Sequence, residues 1–358
     1  MNLELAPGVP CPVVTACGGC PWMLQSRQHE LAAKRVAVMD ALERERVCYP
    51  ELSWGYVGKR LAYRNRLRLR ITAEGQVAFF NQRKLDACAV LEPGLARLIE
   101  RVRELARCEP ELLRRFTHLE VRSADDDGQG GVCFYPAAAV PEQRLLERLQ
   151  GIGADVAVLI AGAGPAHHAP CQRFDLAGDV YARVPLDGFL QVNSQVNRAL
   201  VGAVRALARS ARTRRFADLY AGSGNFTLPL LRDGAAGACV ELHGSALHAL
   251  DRACREQGLP PPELRAASAE NAAREWHAAG EAFDLVIVDA PRAGVKSGIE
   301  QLAALAGRAI ALCSCNPVTL ARNLKSFSVL GFDLKRVVLF DMFPNTRHVE
   351  VLAWLERA

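Results

Sequence analysis

The chain has 358 residues, of which 50% are hydrophobic and 23% charged. This is an ordinary globular composition that excludes a disordered or fibrous protein, and the length suits two domains or one large one. The formal net charge of +5 is a mild excess, so evidence for a polyanionic partner must come from how the basic residues are distributed. No apolar stretch reaches a membrane-spanning length and the N-terminus lacks a secretory signal pattern, so we expect a cytoplasmic protein.

The first feature along the chain is a group of cysteines, within a total of twelve. Cys11, Cys17 and Cys20 lie in one short segment, and Cys88 follows at a distance. Disulfides rarely persist in the cytosol. All-cysteine zinc sites usually pair two C-x2-C segments, whereas three ligands in one loop and a distant fourth suit a [4Fe–4S] cluster better. Spacing alone leaves three interpretations, which are a cluster, a zinc site and cysteines without a metal.

The next segments predict a helix over about 25–42, short strands over 54–90 with a turn at Glu74-Gly75, and a helix over about 93–107. Within them, GKRLAYRNRLRLR (58–70) contains six basic residues and no acidic one. Four of these arginines alternate with other residues, which on a strand gives one basic face. That face is either a solvated surface or a surface that contacts RNA phosphates, with Tyr63 beside it for stacking.

The chain changes character near residue 190. Residues 115–185 alternate short β-rich runs with turns, whereas apolar strands alternate with helical segments after residue 190. This alternation predicts a doubly wound parallel sheet, and the last strand follows its predecessor too closely for a helical crossover, so it should run antiparallel. We therefore predict an α+β domain over 1–188 and a Rossmann-like α/β domain over 189–358.

The segment DLYAGSGNFTLPLL (218–231) predicts a strand, a glycine turn and a helix. Gly222 and Gly224 would let the backbone approach a ligand closely, and Glu241 ends the next strand, where an acid suits a ribose diol. The third glycine of a dinucleotide-binding motif is missing, which favours a nucleoside cofactor such as S-adenosylmethionine. The alternative is a tight turn that binds no ligand.

Two further strand ends and the start of the last strand belong to the same predicted edge. Asp289 ends one strand, Cys315 ends the next, and the antiparallel last strand would bring Glu350 beside them. Asn316 is a good helix N-cap and Pro317 suits the first turn. A helix N-terminus lowers the pKa of a thiol, so we predict Cys315 as a nucleophile and Cys313 as a buried apolar residue.

Longer motifs in the chain are CGGC with Cys11 upstream and Cys88 downstream, FLQVNSQVN (189–197), DLYAGSGNFTLPL, DAPRAG, SCNPVTLARN and DMFPNTRHVEV. Together they resemble the uracil-C5 RNA methyltransferases of the iron–sulfur type over most of the chain. The resemblance implies a class I S-adenosylmethionine-dependent methyltransferase domain, preceded by a β-rich α+β domain with a cysteine cluster. It further implies a [4Fe–4S] cluster on Cys11, Cys17, Cys20 and Cys88, 23S rRNA as the partner, and no obligate protein partner.

The same resemblance implies a mechanism. Cys315 would add to C6 of uracil, C5 would take the methyl group, and Glu350 would remove the C5 proton. The residues implied to line the pocket for cofactor and base are Gln191, Tyr220, Asn225, Glu241 and Asp289.

The chain departs from the family pattern at a few positions. Asn345 and Arg347 stand where His and Gly are usual, and the first cluster cysteine is residue 11, so we expect no N-terminal TRAM domain. Two alternative functions follow, a tRNA T-loop uridine-C5 methyltransferase and a non-catalytic RNA-binding iron–sulfur protein.

Overall fold

The computed structural model describes residues 11, 13–79, 88–124, 130–138, 142–162, 169–177, 179–295 and 297–358. These residues form one sheet of eight strands, one sheet of five and a two-stranded hairpin. Within these ranges, no helix combines the length and the apolar character needed to cross a bilayer.

The regular elements alternate along the chain. The strands are β1 Leu52–Tyr56, β2 Arg66–Ile71, β3 Val77–Ala78, β4 Phe116–Arg122, β5 Gly131–Pro136, β6 Ala157–Ile160, β7 Cys171–Asp175, β8 Tyr181–Pro185, β9 Arg215–Asp218, β10 Ala236–Glu241, β11 Glu263–Ala266, β12 Phe283–Asp289, β13 Ala306–Ser314, β14 Phe332–Phe340 and β15 Glu350–Arg357. The helices are α1 Val14–Cys17, α2 Arg27–Arg44, α3 Pro93–Cys108, α4 Pro110–Leu113, α5 Glu142–Leu149, α6 Ser194–Ser210, α7 Thr227–Arg232, α8 Gly244–Glu256, α9 Ala269–Ala278, α10 Ile299–Leu305 and α11 Pro317–Val329.

The eight-stranded sheet has the order β1-β14-β15-β13-β12-β9-β10-β11. β15 is antiparallel to both of its neighbours, as predicted, and the other pairs are parallel. Apolar side chains cover both faces, because α2, α9, α10 and α11 pack on one side and α6, α7, α8 and the β7–β8 hairpin on the other. The result is a three-layer α/β/α arrangement whose parallel strands all end at one edge.

The five-stranded sheet, of order β3-β2-β4-β5-β6, is covered on one face only by described helices. Leu69 of β2 and Leu119 of β4 pack there against Leu98 and Leu105 of α3. The opposite face of β2 carries arginines. This sheet matches the β-rich region that was predicted to precede the α/β domain.

The N-terminal region also contributes to the large sheet. β1 pairs in parallel with β14 at the sheet edge, and Val38 and Leu42 of α2 belong to the apolar core beneath it. The sequence did not predict the pairing of β1 with β14, since the two strands lie about three hundred residues apart in the chain. The predicted domain boundary at residue 188 stays a prediction. Residues 27–56 precede this boundary in the chain but pack with the eight-stranded sheet.

Candidate active site

Three reactive side chains meet at the carboxyl edge of the parallel strands. Asp289 ends β12, Cys315 directly follows β13, and Glu350 begins β15. Asp289 is paired in register with Cys313, and the antiparallel register of β13 and β15 sets Cys315 opposite Glu350. Since side chains alternate between the two faces of a sheet, all three project to the same face.

Glu350 and Asp289 form an interacting pair of carboxyl groups. Glu350 is 3% exposed and Asp289 is half-buried. Burial raises the pKa of Glu350 well above its usual value, and Asp289 raises that pKa further. Burial also raises the pKa of Asp289 to about 6. Two adjacent carboxylates in a poorly solvated site resist carrying two charges, so the pair is suited to holding one proton near neutral pH.

The Cys315 thiol lies at the N-terminus of α11, as predicted, but its pKa is raised. Asn316 caps this helix with its side-chain oxygen. Burial raises the pKa of Cys315 to about 11; Glu350 and Asp289 add to the increase and Arg292 opposes it. The expectation of a lowered pKa is therefore wrong for the resting protein, because burial and two carboxyl groups outweigh the helix end.

Cys313 lies one pleat deeper in β13 and is 0% exposed. It packs in the apolar core with Leu285 and Leu352. Burial raises the pKa of its thiol well above the usual value. Its predicted burial is confirmed, and the neutral thiol acts as a small apolar side chain.

The turn after β9 forms a crevice with space for a ligand. Gly222 and Gly224 have φ angles of +52° and +90°, which favour glycine. A Cβ on Gly224 would lie 2.5 Å from the Leu250 side chain, whereas a Cβ on Gly222 would meet nothing within 4 Å. The Ser223 hydroxyl, which lines this crevice, is buried without a partner among the described residues. An open space beside an unsatisfied hydroxyl fits a polar ligand.

Glu241 faces the same turn from the end of β10. One carboxylate oxygen accepts from the Gly222 amide at 3.1 Å and the other from the His243 amide at 3.0 Å. Each oxygen keeps a lone pair for a further donor, as a ribose diol would require. A cavity of about 250 Å³ opens beside Glu241. Tyr220 lies in its wall, with its hydroxyl donating to Glu270 at 3.4 Å.

The other end of the crevice carries side-chain amides. Gln191 lines the crevice, and its side-chain amide has no hydrogen-bond partner among the described residues. Asn225 exchanges hydrogen bonds of 2.8 and 3.0 Å with Asn197. Sequence reasoning missed Asn197, Ser223 and Glu270; the first two lie inside motifs that it had quoted, whereas Glu270 lies in none of them.

A larger cleft of about 720 Å³ reaches Cys315 and has a basic wall. Arg64, Arg292 and Arg347 line it together with His348. Burial lowers the pKa of His348, and Arg292 and Arg347 lower it further. The three arginines supply the positive charge, which suits a polyanionic substrate.

The basic strand predicted within residues 64–70 begins at Arg66, so Arg64 belongs to the cleft and not to the strand. Arg66, Arg68 and Arg70 share one face of β2, and Glu120 of β4 lies 3.3 Å from Arg66 and 3.8 Å from Arg68. Tyr63 lies in the wall of the cleft beside Arg64 and not on this face of β2, and its role in stacking stays a prediction. Tyr63 is buried, and its hydroxyl donates to the Pro344 carbonyl at 3.1 Å.

The four cysteines predicted to bind a metal lie in one region of the molecule. Burial raises the pKa of Cys20 to about 12, and the nearby thiols of Cys88, Cys17 and Cys11 raise it further. Among the residues that the structure describes, however, no group of three or more His, Cys, Asp or Glu side chains could hold a metal ion as positioned. Metal binding at these sulfurs stays a prediction.

Comparisons with known proteins agree with this site. A family model described as tRNA (Uracil-5-)-methyltransferase matches residues 175–358. The 23S rRNA (uracil(1939)-C(5))-methyltransferase of Pectobacterium atrosepticum is 30% identical over 96% of this chain and 79% of its own length. The chain belongs to the uracil-C5 RNA methyltransferase family. The Pseudomonas aeruginosa relative with the same printed name is also 30% identical, over 97% of this chain and 80% of its own.

The fold is shared with a solved structure, that of Pyrococcus abyssi tRNA (uracil-54, C5)-methyltransferase in complex with S-adenosyl-L-homocysteine. The TM-score is 0.73 at 24% identity, over 94% of this chain and 85% of the other. The predicted family, the methyltransferase fold and an enzyme that methylates uracil C5 in RNA are thus confirmed. The roles of single residues and the iron–sulfur cluster stay predictions.

Proposed function

We propose that this protein methylates C5 of a uridine in 23S rRNA through a transient covalent bond from Cys315. One observation carries the proposal. Asp289 lines the glycine crevice and Cys315 lines the basic cleft, while the neighbouring Glu350 interacts with both. A nucleoside cofactor in the crevice and a base in the cleft would therefore meet at these three side chains. Gln191, Tyr220, Asn225 and Glu241 would hold the cofactor, and a cytoplasmic location follows from the substrate.

The first chemical task is to activate uracil C5, which is a weak nucleophile. Cys315 gives up its proton, its sulfur bonds to C6, and the C5–C6 π electrons make C5 an enolate-like carbon. The carboxylate of the Asp289–Glu350 pair that is still ionised is the nearby acceptor for the thiol proton. It passes this proton to solvent, so that Glu350 is again ionised for the second step. S-adenosylmethionine, when bound, supplies the electrophilic methyl group that C5 takes.

The second task is to release the product. After methylation C5 still holds its proton and C6 still holds the sulfur. Glu350 takes the C5 proton, the C5–C6 double bond forms again, and sulfur leaves C6 with the bonding electrons. The raised pKa of Glu350 makes its carboxylate a stronger base than an ordinary one.

Three variants test this scheme with a 23S rRNA fragment and S-adenosylmethionine. We expect Cys315→Ala to lose methyl transfer and keep cofactor binding, whereas Cys313→Ala, the matched control, keeps activity and loses about 1 kcal/mol of stability. Glu350→Gln should accumulate a protein–RNA adduct that survives a denaturing gel, since elimination needs the base. An active Cys315→Ala together with an inactive Cys313→Ala would show that the wrong thiol has been assigned.

The choice of 23S rRNA is supported by relatives with that printed activity over nearly the whole chain. Its test is to map 5-methyluridine in rRNA and tRNA from cells that lack the gene. A missing mark in 23S rRNA supports the proposal. A missing mark in the tRNA T-loop, with rRNA unchanged, would support the alternative tRNA enzyme.

We also propose that Cys11, Cys17, Cys20 and Cys88 hold a [4Fe–4S] cluster. The mutual electrostatic influence of the four thiols supports this, and a small apolar core of Val14, Met23 and Val90 would shield the group. A bound cluster would link the N-terminal loop to the following domain. Protein purified without oxygen should be brown with about four iron atoms per chain. Colourless protein with stoichiometric zinc would favour the zinc site instead.

A further inference from the structure

The cysteine-rich loop contributes an aromatic residue to the substrate cleft. Trp22, two residues after Cys20, is half-buried and lines the cleft of about 720 Å³ that reaches Cys315. Within the part of the chain that the structure describes, no other aromatic ring stacks on it. Its indole therefore faces the proposed RNA site without a stacking partner among the described residues.

Both backbone polar groups of Trp22 are held by one pair of residues. The Trp22 amide donates to the Asn345 carbonyl at 3.0 Å, and the Trp22 carbonyl accepts from the Arg60 guanidinium at 2.9 Å. Arg60 and Asn345 also exchange two hydrogen bonds with each other, both of 2.7 Å. Because the backbone of Trp22 is engaged on this side, its indole is the part left to line the cleft.

The Arg60–Asn345 pair is anchored in the core. Asn345 is 0% exposed and has a φ of +66°, a left-handed conformation that is uncommon outside glycine. The backbone amide of Asn345 donates at 2.7 Å to the buried carboxylate of Glu30. The loop that contains Asn345 continues to Glu350, so one loop positions both Trp22 and the proposed base. This accounts for an asparagine at a position where the family pattern has another residue.

We propose that Trp22 is a stacking platform for a nucleobase adjacent to the uridine that enters the active site, while Arg64, Arg292 and Arg347 contact the flanking phosphates. This inference rests on the proposed function of the cleft. A base drawn out of its stack leaves its neighbours exposed, and an aromatic ring replaces the missing stacking partner for any base. A tryptophan whose backbone is already fixed also loses little conformational entropy on binding.

RNA binding by the full-length protein tests the platform directly. Trp22→Ala should weaken the affinity for a 23S rRNA fragment about 10- to 100-fold, the range expected when one base no longer stacks on an aromatic ring. Trp22→Phe should restore most of the affinity because it keeps an aromatic face, whereas Trp22→Leu should behave like Trp22→Ala. With saturating RNA, kcat should change less than about 3-fold, since binding of the reacting uridine itself is intact.

Leu24→Ala is the matched control, because Leu24 lies in the same loop, is 51% exposed and is absent from the cleft wall. S-adenosylmethionine affinity reports whether each variant has folded, and Trp22→Phe covers the case in which Trp22→Ala does not fold. Binding by Trp22→Ala or Trp22→Leu that equals the Leu24→Ala control would overturn the stacking role. The kcat measurement on the wild-type protein tests the proposed function independently of the stacking role. Formation of 5-methyluridine supports that function, whereas no product would contradict it whatever the binding results.

Discussion

At the scale of single residues, the two carboxyl groups beside Cys315 affect both chemistry and stability. The folded protein raises the pKa of Asp289 to about 6. A carboxyl group with a raised pKa binds its proton more tightly in the folded state than in the unfolded chain. Stability is therefore lost as pH rises from the ordinary pKa of about 4 through the folded value. The loss falls at the position where the proposed reaction needs a proton acceptor.

Replacing Asp289 by Asn should stabilise the protein at pH 8 and have little effect at pH 4. At pH 8 the substitution removes a charge that the site disfavours, so the free energy of unfolding should increase by about 1–3 kcal/mol. At pH 4 the carboxyl group is already protonated, so the gain should disappear. Urea unfolding at the two pH values measures the difference. Asp333→Asn is the control, because Asp333 is 57% exposed beside Lys335, and an equal effect of Asp289→Asn at both pH values would contradict the argument.

The positions of the reactive residues could be predicted from the sequence, but their pKa values could not. Asp289 and Cys315 follow apolar runs that predict parallel strands, and Glu350 begins a strand whose direction follows from a short connection. These are local signals. The pKa of Cys315 depends on burial and on side chains from three different strands and loops. The direction in which the pKa of Cys315 shifts could therefore be found only from the packed structure.

At the scale of elements, a buried ionic network joins α2 to the end of β14. Lys34, Glu30 and Asp341 are each 0% exposed. The Lys34 ammonium lies 2.9 Å from Glu30 and 2.5 Å from Asp341, and it donates to the Phe343 carbonyl at 3.1 Å. The network thus fixes the start of the loop that leads to Asn345 and then to the proposed base. Its partners are about three hundred residues apart in the chain, so no local pattern in the sequence could predict it.

Lys34→Met should be strongly destabilising, because it leaves the carboxylates of Glu30 and Asp341 buried with less compensation. Breaking a buried ion pair from one side costs about 3–5 kcal/mol, although Arg27 also contacts both carboxylates and will reduce the loss. Lys335→Met removes an exposed lysine paired with Asp333 and should cost less than about 1 kcal/mol. Denaturant unfolding compares the two variants. Equal small losses would mean that the network contributes nothing specific to stability.

At the scale of the whole molecule, the five-stranded sheet presents a second basic surface beside the cleft. Arg66 lies 4.9 Å from the ring centre of Phe189, which is 65% exposed, and Arg68 lies 5.7 Å from that of Tyr135. His118 stacks on Tyr135, with 4.3 Å between the ring centres. Aromatic rings interleaved with arginines are typical of surfaces that bind single-stranded RNA. Sequence reasoning identified the basic strand, but the aromatic residues come from other strands and loops and had to be found in the structure.

This surface predicts a change in the salt dependence of RNA binding. Replacing Arg66 and Arg68 together by Ala should weaken binding and reduce the slope of log K against log salt by about 1 for each phosphate that the protein no longer neutralises. The fold should survive, because Arg122 remains 2.6 Å from Glu120 after both substitutions.

The matched control replaces Arg107 and Arg114, which removes the same charge from α3 and the residue that follows α4, where each pairs with a glutamate at the surface. These helices cover the opposite face of the sheet, so the control should leave the slope near that of the wild type. Binding measured over a range of salt concentrations separates the two double variants. If both give the wild-type slope, the arginines of β2 form a solvated face, and the RNA is held by the cleft alone.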